Sequence, residues 1–280
     1  MPLPPLKEVI SEYGLSPRKG LGQNFLLDLN LTRRIARAAN NDNSLEGMNF
    51  LEIGAGPGGL TRALFMEGAS HLTTIERDAR CIGALEEIGK YWQGKLTILH
   101  VDALEEQNNI TAKEPYHIIA NLPYNISTPL LIGWLQNKKW PPPWQSMTLL
   151  FQQEVAKRIL AKASSRAYGR ISVQAQWRYT IKKCFDIDPR AFLPVPKITS
   201  SLLHFTPKII VPKANEKWLY LLLEKAFGQR RKMLGTSLKG ITPNAEKLIE
   251  KAGLDAKARP QDISPSGFCT LSLIFAKKLG

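Results

Sequence analysis

Cysteine and histidine are scarce in this sequence. Its 280 residues include three cysteines, which stand far apart, and four histidines, none of which has the spacing of paired metal ligands. There is no Cys-x-x-Cys pair, and an odd number of cysteines does not suit a disulfide framework. These absences exclude the common zinc and thiol-redox motifs, and we predict no metal site.

Long apolar runs and a secretory leader are also lacking. The most apolar stretches, such as Leu219–Leu223, are far shorter than the ~20 residues that span a bilayer. The start, Met-Pro-Leu-Pro-Pro, has neither the basic region nor the apolar core of a signal peptide. We therefore predict a cytoplasmic protein with no membrane partner. Nothing in the sequence indicates an obligate interface, so a monomer is expected.

Acidic residues are outnumbered by basic ones. Thirty-eight Lys and Arg residues against 24 Asp and Glu residues give a net charge of +14 and a pI near 9.7. This excess favours a polyanionic partner, because Lys and Arg side chains that contact phosphates release condensed counterions. A basic enzyme without a nucleic-acid partner is the alternative that charge alone leaves open.

Short apolar runs alternate with helical patterns through the first half of the chain, which predicts βαβ units, a mainly parallel sheet and an α/β fold. Further along, a helix at about Arg170–Tyr179 precedes two strands, Lys182–Ile187 and Ser201–Phe205, which we expect to pair at the sheet edge. The earlier strands are predicted at Phe50–Ile53, Leu72–Ile75, Leu96–Val101, His117–Ala120 and Met147–Phe151.

The last quarter of the sequence is helical in pattern. Thr242-Pro243 and Ser264-Pro265 each combine an N-cap residue with proline at the first helical position, and Gly253 is a typical helix end. We therefore divide the chain into a sheet-containing domain, 1–207, and a small helical domain, 208–280.

Polar or glycine residues follow four successive predicted strands. Gly54 belongs to the glycine-rich segment Glu52-Ile-Gly-Ala-Gly-Pro-Gly-Gly, and Glu76, Asp102 and Asn121 end the next three strands. Glycines let the backbone approach a ligand, and an acidic side chain after the second strand can bind ribose hydroxyls. The glycine pattern alone fits a dinucleotide-binding protein equally well. The glycine segment and the other three residues each follow a strand of the predicted parallel sheet. Together they predict a nucleotide-type cofactor site at the carboxyl edge of the sheet.

The segment Asn121-Leu122-Pro123-Tyr124 indicates the reaction. The amine of adenine is a poor nucleophile because its lone pair is delocalised into the ring. The amide oxygen of Asn121 and the carbonyl of Leu122 are two acceptors that can hold the amine hydrogens and direct the lone pair to a methyl donor. Pro123 would stiffen the turn, and Tyr124 would stack on the base. We predict these four residues to be catalytic.

The sequence resembles the ribosomal RNA adenine dimethyltransferase family along essentially its whole length. The resemblance lies in a series of motifs: Gly22-Gln-Asn-Phe-Leu26, Glu52-Ile-Gly-Ala-Gly-Pro-Gly, Ile75-Glu-Arg-Asp78, Val101-Asp-Ala103, Asn121-Leu-Pro-Tyr124, Gln153-Glu-Val-Ala-Lys-Arg158, Phe192-Leu-Pro-Val-Pro196 with Ser200-Ser201, and Ala226-Phe-Gly-Gln-Arg-Arg-Lys232. It implies a class I, Rossmann-like S-adenosylmethionine-dependent methyltransferase sheet followed by a helical domain. It also implies dimethylation of two adjacent adenines in the 3′-terminal hairpin loop of small-subunit (16S) rRNA during ribosome assembly, with the pre-30S subunit as partner.

The resemblance also assigns site residues. S-adenosyl-L-methionine would be bound by Asn24, Leu26, Gly54, Glu76, Asp102 and Asn121. Phe192 resembles the family aromatic that faces Tyr124 across the target base. The Ala55 and Gly58-Gly59 variations in the glycine loop are small departures that do not threaten cofactor binding.

Several basic patches are candidates for RNA phosphate contacts, although isolated surface charges explain each one equally well. The predicted RNA-binding residues are Arg18, Lys19, Arg166, Arg170, Arg230, Arg231 and Lys232.

Three alternatives remain at this stage. A macrolide-resistance type enzyme would run the same chemistry on one large-subunit adenine. A non-catalytic assembly or transcription factor on the same scaffold would not need an intact Asn121–Tyr124 segment. A nicotinamide-dependent oxidoreductase would explain only the glycine loop.

Overall fold

The computed structural model describes residues 3–106 and 112–279, and these form two compact units. The first unit comprises the residues up to Gln153 together with Lys182–Pro207. The second comprises Glu154–Ile181 and the residues from Lys208 onward. The structure therefore differs from the predicted division at residue 207, because Glu154–Ile181 belongs with the C-terminal helices.

Aromatic packing within the second unit explains this difference. Tyr168 and Trp177 lie in the same apolar core as Leu222 and Phe268. The hydroxyl of Tyr168, which is fully buried, donates a hydrogen bond to the carbonyl of Ile263 at 3.0 Å. Because these large side chains are buried among residues of the C-terminal quarter, the segment that carries them folds with that quarter.

The strands confirm the predicted α/β architecture. They are β1 (Phe25–Leu26), β2 (Asn49–Ile53), β3 (His71–Ile75), β4 (Leu96–Leu99), β5 (Tyr116–Ala120), β6 (Trp144–Gln152), β7 (Tyr179–Ile187), β8 (Phe192–Leu193) and β9 (Ser200–Pro207). Among the described residues, seven of them form one sheet in the order β4-β3-β2-β5-β6-β9-β7. Strands β4 to β6 in that order are parallel, and β9 joins β6 antiparallel. As predicted, β9 and β7 are neighbours at the sheet edge.

The structure has the predicted helix near Arg170–Tyr179 and the predicted helices in the last quarter of the chain, and further helices alternate with the strands of the first half. The helices are α1 (Leu6–Glu12), α2 (Leu29–Ala38), α3 (Gly59–Met66), α4 (Ala79–Tyr91), α5 (Tyr124–Leu135), α6 (Gln153–Leu160), α7 (Arg170–Arg178), α8 (Glu216–Gly228), α9 (Leu234–Leu238), α10 (Ala245–Lys251) and α11 (Pro265–Leu279). In the part of the chain that the structure describes, no helix has both the length and the apolar character of a membrane span.

The two predicted helix starts have different outcomes. Ser264 precedes α11, and its hydroxyl accepts the Gly267 amide at 3.1 Å, as a capping residue does. The Thr242 prediction was wrong by two residues, because the N-cap of α10 is Asn244 and the helix begins at Ala245. The Thr242 hydroxyl instead accepts the backbone N–H of Asn244 at 3.3 Å, which stabilises the turn before the helix.

The core of the first unit fixes the position of the carboxyl edge. All five residues of β2 are buried, and Phe50 of this strand packs with Leu64 of α3 and Leu72 of β3. Because β4, β3, β2 and β5 are parallel neighbours, the loops that follow them emerge side by side at one edge.

Candidate active site

The loops after these four strands line a cleft of about 990 Å³, including its open mouth. Residues of the segment preceding α2 complete its wall. The residues expected to bind the cofactor all line this cleft: Asn24, Leu26, Gly54, Glu76, Asp102 and Asn121. Positions that are far apart in the sequence are thus brought together by the parallel strand order.

Two glycines shape the floor of the cleft. Gly54 and Gly56 have φ angles of +72° and +55°, in the left-handed region where other L residues are strained. This conformation turns the Gly56 amide toward Glu76, whose Oε2 accepts it at 2.7 Å. The loop then leads into α3, whose N-cap is Gly58. Because Gly54 and Gly56 lack side chains, the backbone at these two positions can approach a ligand closely.

Backbone amides hold both carboxylate oxygens of Glu76. Its Oε1 accepts the backbone N–H of Asp78 at 2.7 Å, and its other oxygen is held by the Gly56 amide. Burial raises the pKa of this carboxyl above its usual value, and the two backbone hydrogen bonds oppose that shift. Each oxygen of an ionised carboxylate has a second lone pair. Glu76 can therefore accept two hydroxyl groups without giving up its backbone partners.

Asp102 is a second carboxylate at this edge of the sheet. Its Oδ2 lies 2.8 Å from a guanidinium nitrogen of Arg77, and its Oδ1 accepts the Leu104 amide at 2.8 Å. The Asp102 side chain is 17% exposed, whereas that of Arg77 is 66% exposed. The carboxylate is therefore oriented mainly by the local turn, since an exposed ion pair contributes little.

Glu52 is a cleft residue that we did not assign a role from the sequence. It is 1% exposed, and the Thr61 hydroxyl lies 2.7 Å from its Oε2. Burial raises the pKa of Glu52 to about 8, and the nearby Glu76 carboxylate adds to the shift while the Thr61 hydrogen bond opposes it. The predicted strand covers this position, so its burial was foreseeable, but its protonation depends on the tertiary neighbours.

The raised pKa gives a prediction for Glu52→Gln. The folded state binds a proton at Glu52 that the unfolded chain releases near pH 4.5, so wild-type stability falls as the pH rises from 4.5 through 8. An amide mimics the protonated carboxyl and does not titrate. We expect the melting temperature of Glu52→Gln, relative to wild type, to be constant below pH 4.5 and to increase up to about pH 8.

Differential scanning calorimetry across this pH range measures the difference. Titrating groups that do not interact with Glu52, such as the histidines, are common to both proteins and cancel. A difference that stays constant with pH would show that Glu52 is not protonated in the fold.

Asn121 has a defined amide orientation. Its Nδ2 lies 3.1 Å from the backbone carbonyl oxygen of Asn24. Because a carbonyl only accepts hydrogen bonds, the Asn121 amide must present its nitrogen to Asn24 and its oxygen elsewhere. Among the described residues, neither Oδ1 of Asn121 nor the carbonyl of Leu122 receives a hydrogen bond. Two acceptors therefore stand at the end of β5, as the proposed chemistry requires.

The two predicted aromatic residues differ in environment. Tyr124 is half-buried, and its hydroxyl lies 2.7 Å from the Ser200 hydroxyl, which fixes the ring. Burial raises the pKa of Tyr124, so the phenol stays neutral. Phe192 is 3% exposed and packs in the apolar core, where it pairs with Leu26. A role against the target base requires exposure of the Phe192 ring and stays a prediction.

The predicted RNA-binding residues fall in both units. Arg18 is exposed in the first unit, and the side chain of Lys19 lies outside the described part of the structure. In the second unit, Arg166, Arg170, Arg231 and Lys232 are exposed, whereas Arg230 is half-buried. The Arg230 guanidinium donates to the Arg166 carbonyl and to Oε1 of Gln261, so this side chain holds two loops together.

Known proteins with similar sequences share the length of this chain. A ribosomal RNA small subunit methyltransferase A of Cereibacter sphaeroides is 49% identical over 272 residues, which is 96% of each chain. The protein of the same name from Xanthobacter autotrophicus is 48% identical over 276 residues, covering 98% of this chain and 95% of its own.

Solved structures show the same fold. A dimethyladenosine transferase from Plasmodium falciparum superposes with a TM-score of 0.75 at 23% identity, over 90% of this chain and 97% of its own. The 23S rRNA methyltransferase ErmE gives a TM-score of 0.65 at 24% identity, over 90% of this chain and 100% of its own. At these identities the likeness establishes the class I methyltransferase fold and does not identify the substrate.

The family model for ribosomal RNA adenine dimethylase matches residues 14–277, which include the cleft, the Asn121–Tyr124 segment and the helices of the second unit. With a match of this extent and relatives at nearly half identity, the chain is a member of the ribosomal RNA adenine dimethylase family.

Proposed function

We propose that this protein transfers methyl groups from S-adenosylmethionine to the N6 amines of two adjacent adenines in the 3′-terminal hairpin loop of small-subunit rRNA. The observation that carries the proposal is the fixed Asn121 amide, whose oxygen is left to accept a hydrogen bond at the end of β5. The relatives named for small-subunit methylation support this choice of subunit.

The cleft residues fit S-adenosylmethionine. Glu76 has two acceptor positions left for the ribose hydroxyls, and the open backbone at Gly54 accommodates a closely approaching ligand. Asp102, oriented by the Leu104 amide, would offer a carboxylate acceptor to a polar group of the cofactor. When bound, this cofactor supplies an electrophilic methyl group.

The residues of the chain would prepare the amine for the transfer. Oδ1 of Asn121 and the Leu122 carbonyl accept the two amine hydrogens, which draws the nitrogen lone pair away from the ring and toward the methyl donor. No general base is needed before transfer, since the methylated amine is cationic and readily loses its proton to water. Tyr124, held by Ser200, offers a fixed ring face for the base.

We propose that exposed cations of the second unit bind the RNA backbone. The pair Arg230 and Arg231 is a poor test, because Arg230 also holds two loops together. Arg231→Ala combined with Lys232→Ala removes two exposed cations that form no ion pair within the described residues. We expect weaker RNA binding and a salt dependence reduced by roughly 0.7 per lost contact in log–log slope.

Filter binding at several salt concentrations measures the slope, and calorimetric titration with S-adenosylmethionine serves as the control. Cofactor affinity should equal that of the wild type. An unchanged salt slope would contradict the assignment of this patch.

We further propose that the protein acts as a cytoplasmic monomer on the pre-30S subunit. Transfer of label from S-adenosylmethionine to unmodified small subunits, compared with large subunits, tests the substrate. Label in the small subunit alone is the expected result. Label in the large subunit would indicate the macrolide-resistance type of activity, and intact cofactor binding without transfer to either subunit would favour a non-catalytic role.

A further inference from the structure

The buried carboxylate of Asp78 anchors the segment Ser16–Leu26. This segment, the strap, contributes residues to the wall of the cleft. Gln23 of the strap donates its side-chain N–H to Oδ2 of Asp78 at 2.9 Å. Oε1 of Gln23 accepts the backbone N–H of Arg18 at 3.0 Å, so the amide joins both ends of the strap's first turn. Asp78 is 5% exposed, and water has little access to compete for this link.

Asp78 is itself a rigid anchor. The Arg80 guanidinium makes hydrogen bonds of 3.0 Å and 2.6 Å to its two oxygens. These bonds hold the pKa of Asp78 down at about 2, so the carboxylate is charged at working pH. The backbone N–H of the same residue is bound to Glu76. The strap is thus fastened to the turn that carries Glu76, the residue proposed to bind the ribose.

The strap continues directly to Asn121. The residue after Gln23 is Asn24, whose carbonyl accepts the Asn121 amide at 3.1 Å. The residue before it, Gly22, has a φ of +64°, and a Cβ there would lie 2.5 Å from Oδ1 of Asn125. The strap therefore packs closely against the turn after β5, and the Asn24 carbonyl is the group that distinguishes the two orientations of the Asn121 amide.

We propose that Gln23, held by Asp78, is a positioning residue that keeps the Asn24 carbonyl in place and thereby keeps Oδ1 of Asn121 aimed at the substrate amine. This inference rests on the proposed function, because it concerns the role of Asn121 in methyl transfer. A displaced strap would let the Asn121 amide rotate by half a turn. Its NH₂ group would then face the amine, and two donors repel one another.

Exchanging the amide and the carboxylate between residues 23 and 78 tests the Gln23–Asp78 hydrogen bond while keeping the net charge. Gln23→Glu replaces the donor with a second carboxylate beside Asp78, and we expect the single-turnover rate at saturating cofactor and RNA to fall roughly tenfold, as for other small displacements of a reacting group. Adding Asp78→Asn restores the wild-type net charge and lets the new NH₂ group donate to the carboxylate introduced at position 23. Oδ1 of the new amide still accepts the Nε–H of Arg80, and Nη2 of Arg80, which loses its acceptor on residue 78, gains the carboxylate at position 23 as a partner. An Asn at this position also retains the N-cap of α4. We expect the double variant to recover to within about threefold of wild type.

Gln93→Glu is the matched control, because it makes the same charge change at an exposed position. Gln23→Met removes the donor without adding charge. This variant takes the place of Gln23→Glu in the test if Gln23→Glu folds poorly. An unchanged rate in the single Gln23 variants, or a double variant as slow as Gln23→Glu, would overturn the proposal.

Hydrogen–deuterium exchange of the cofactor-free protein gives a readout apart from activity. We expect faster exchange of residues 16–26 in Gln23→Glu and normal exchange in the double variant and in Gln93→Glu. Unchanged strap exchange in Gln23→Glu overturns the inference whatever the activity. Failure of the wild type to methylate RNA would instead overturn the proposed function, so the two failures are distinguishable.

Discussion

Replacing Asn121 with alanine is expected to lower the single-turnover rate of methyl transfer by about 10²- to 10³-fold, the loss found when one preorganised polar group is removed from a reaction site. The variant lacks the oxygen that accepts an amine hydrogen and the Nδ2 that binds the Asn24 carbonyl. Because Asn121 also lines the cofactor cleft, the rate is measured by rapid quench at saturating S-adenosylmethionine and RNA.

Two further variants make this result specific. Asn121→Asp keeps the size of the side chain but places a carboxylate oxygen against the Asn24 carbonyl, so it too should be slow. Asn30→Ala changes an exposed asparagine in α2 and should leave the rate unchanged. A loss of only about twofold in Asn121→Ala would refute the proposed role, since this is far below the effect of a reaction-site group.

Changing Glu76 to glutamine is expected to weaken S-adenosylmethionine binding by about 10²-fold, the equivalent of one hydrogen bond to a charged group, worth about 2–3 kcal/mol. The wild-type carboxylate accepts the Gly56 and Asp78 amides on its two oxygens. A glutamine has one oxygen, so its NH₂ group must face one of these backbone N–H groups. The variant therefore loses an acceptor for a ribose hydroxyl, and its melting temperature should also fall.

Isothermal titration calorimetry with S-adenosylmethionine measures the affinity. Glu46→Gln provides the same charge change at an exposed position and should bind as the wild type does. Unaltered affinity in a folded Glu76→Gln protein would mean that Glu76 does not contact the ligand.

Much of the fold can be predicted from the sequence because buried parallel strands leave short apolar runs with polar ends. Helix α5 is the clearest omission from the predicted elements. It contains Pro129, and it starts inside the Asn121–Tyr124 segment, so local signals there indicate a turn rather than a helix. The domain division was wrong for Glu154–Ile181, because the apolar surface that covers Tyr168 and Trp177 lies far away in the sequence.

The candidate site is predictable to a similar extent. Strand ends and motif residues led to Glu76, Asp102 and Asn121, because parallel strands bring their carboxyl ends to one edge. The sequence gives no sign that the Asn24 carbonyl orients Asn121 or that Asp78 holds Gln23, since both are contacts between distant segments. The burial of Phe192 likewise depends on its pairing with β1.

The identity of the modified nucleoside tests the central claim most directly. Small subunits that lack adenine dimethylation are incubated with the protein and labelled S-adenosylmethionine, and the rRNA is digested and analysed by mass spectrometry. We predict N6,N6-dimethyladenosine at both adjacent adenines of the 3′-terminal hairpin loop. Label on any other nucleoside, or none on this RNA while the protein binds cofactor, would contradict the account.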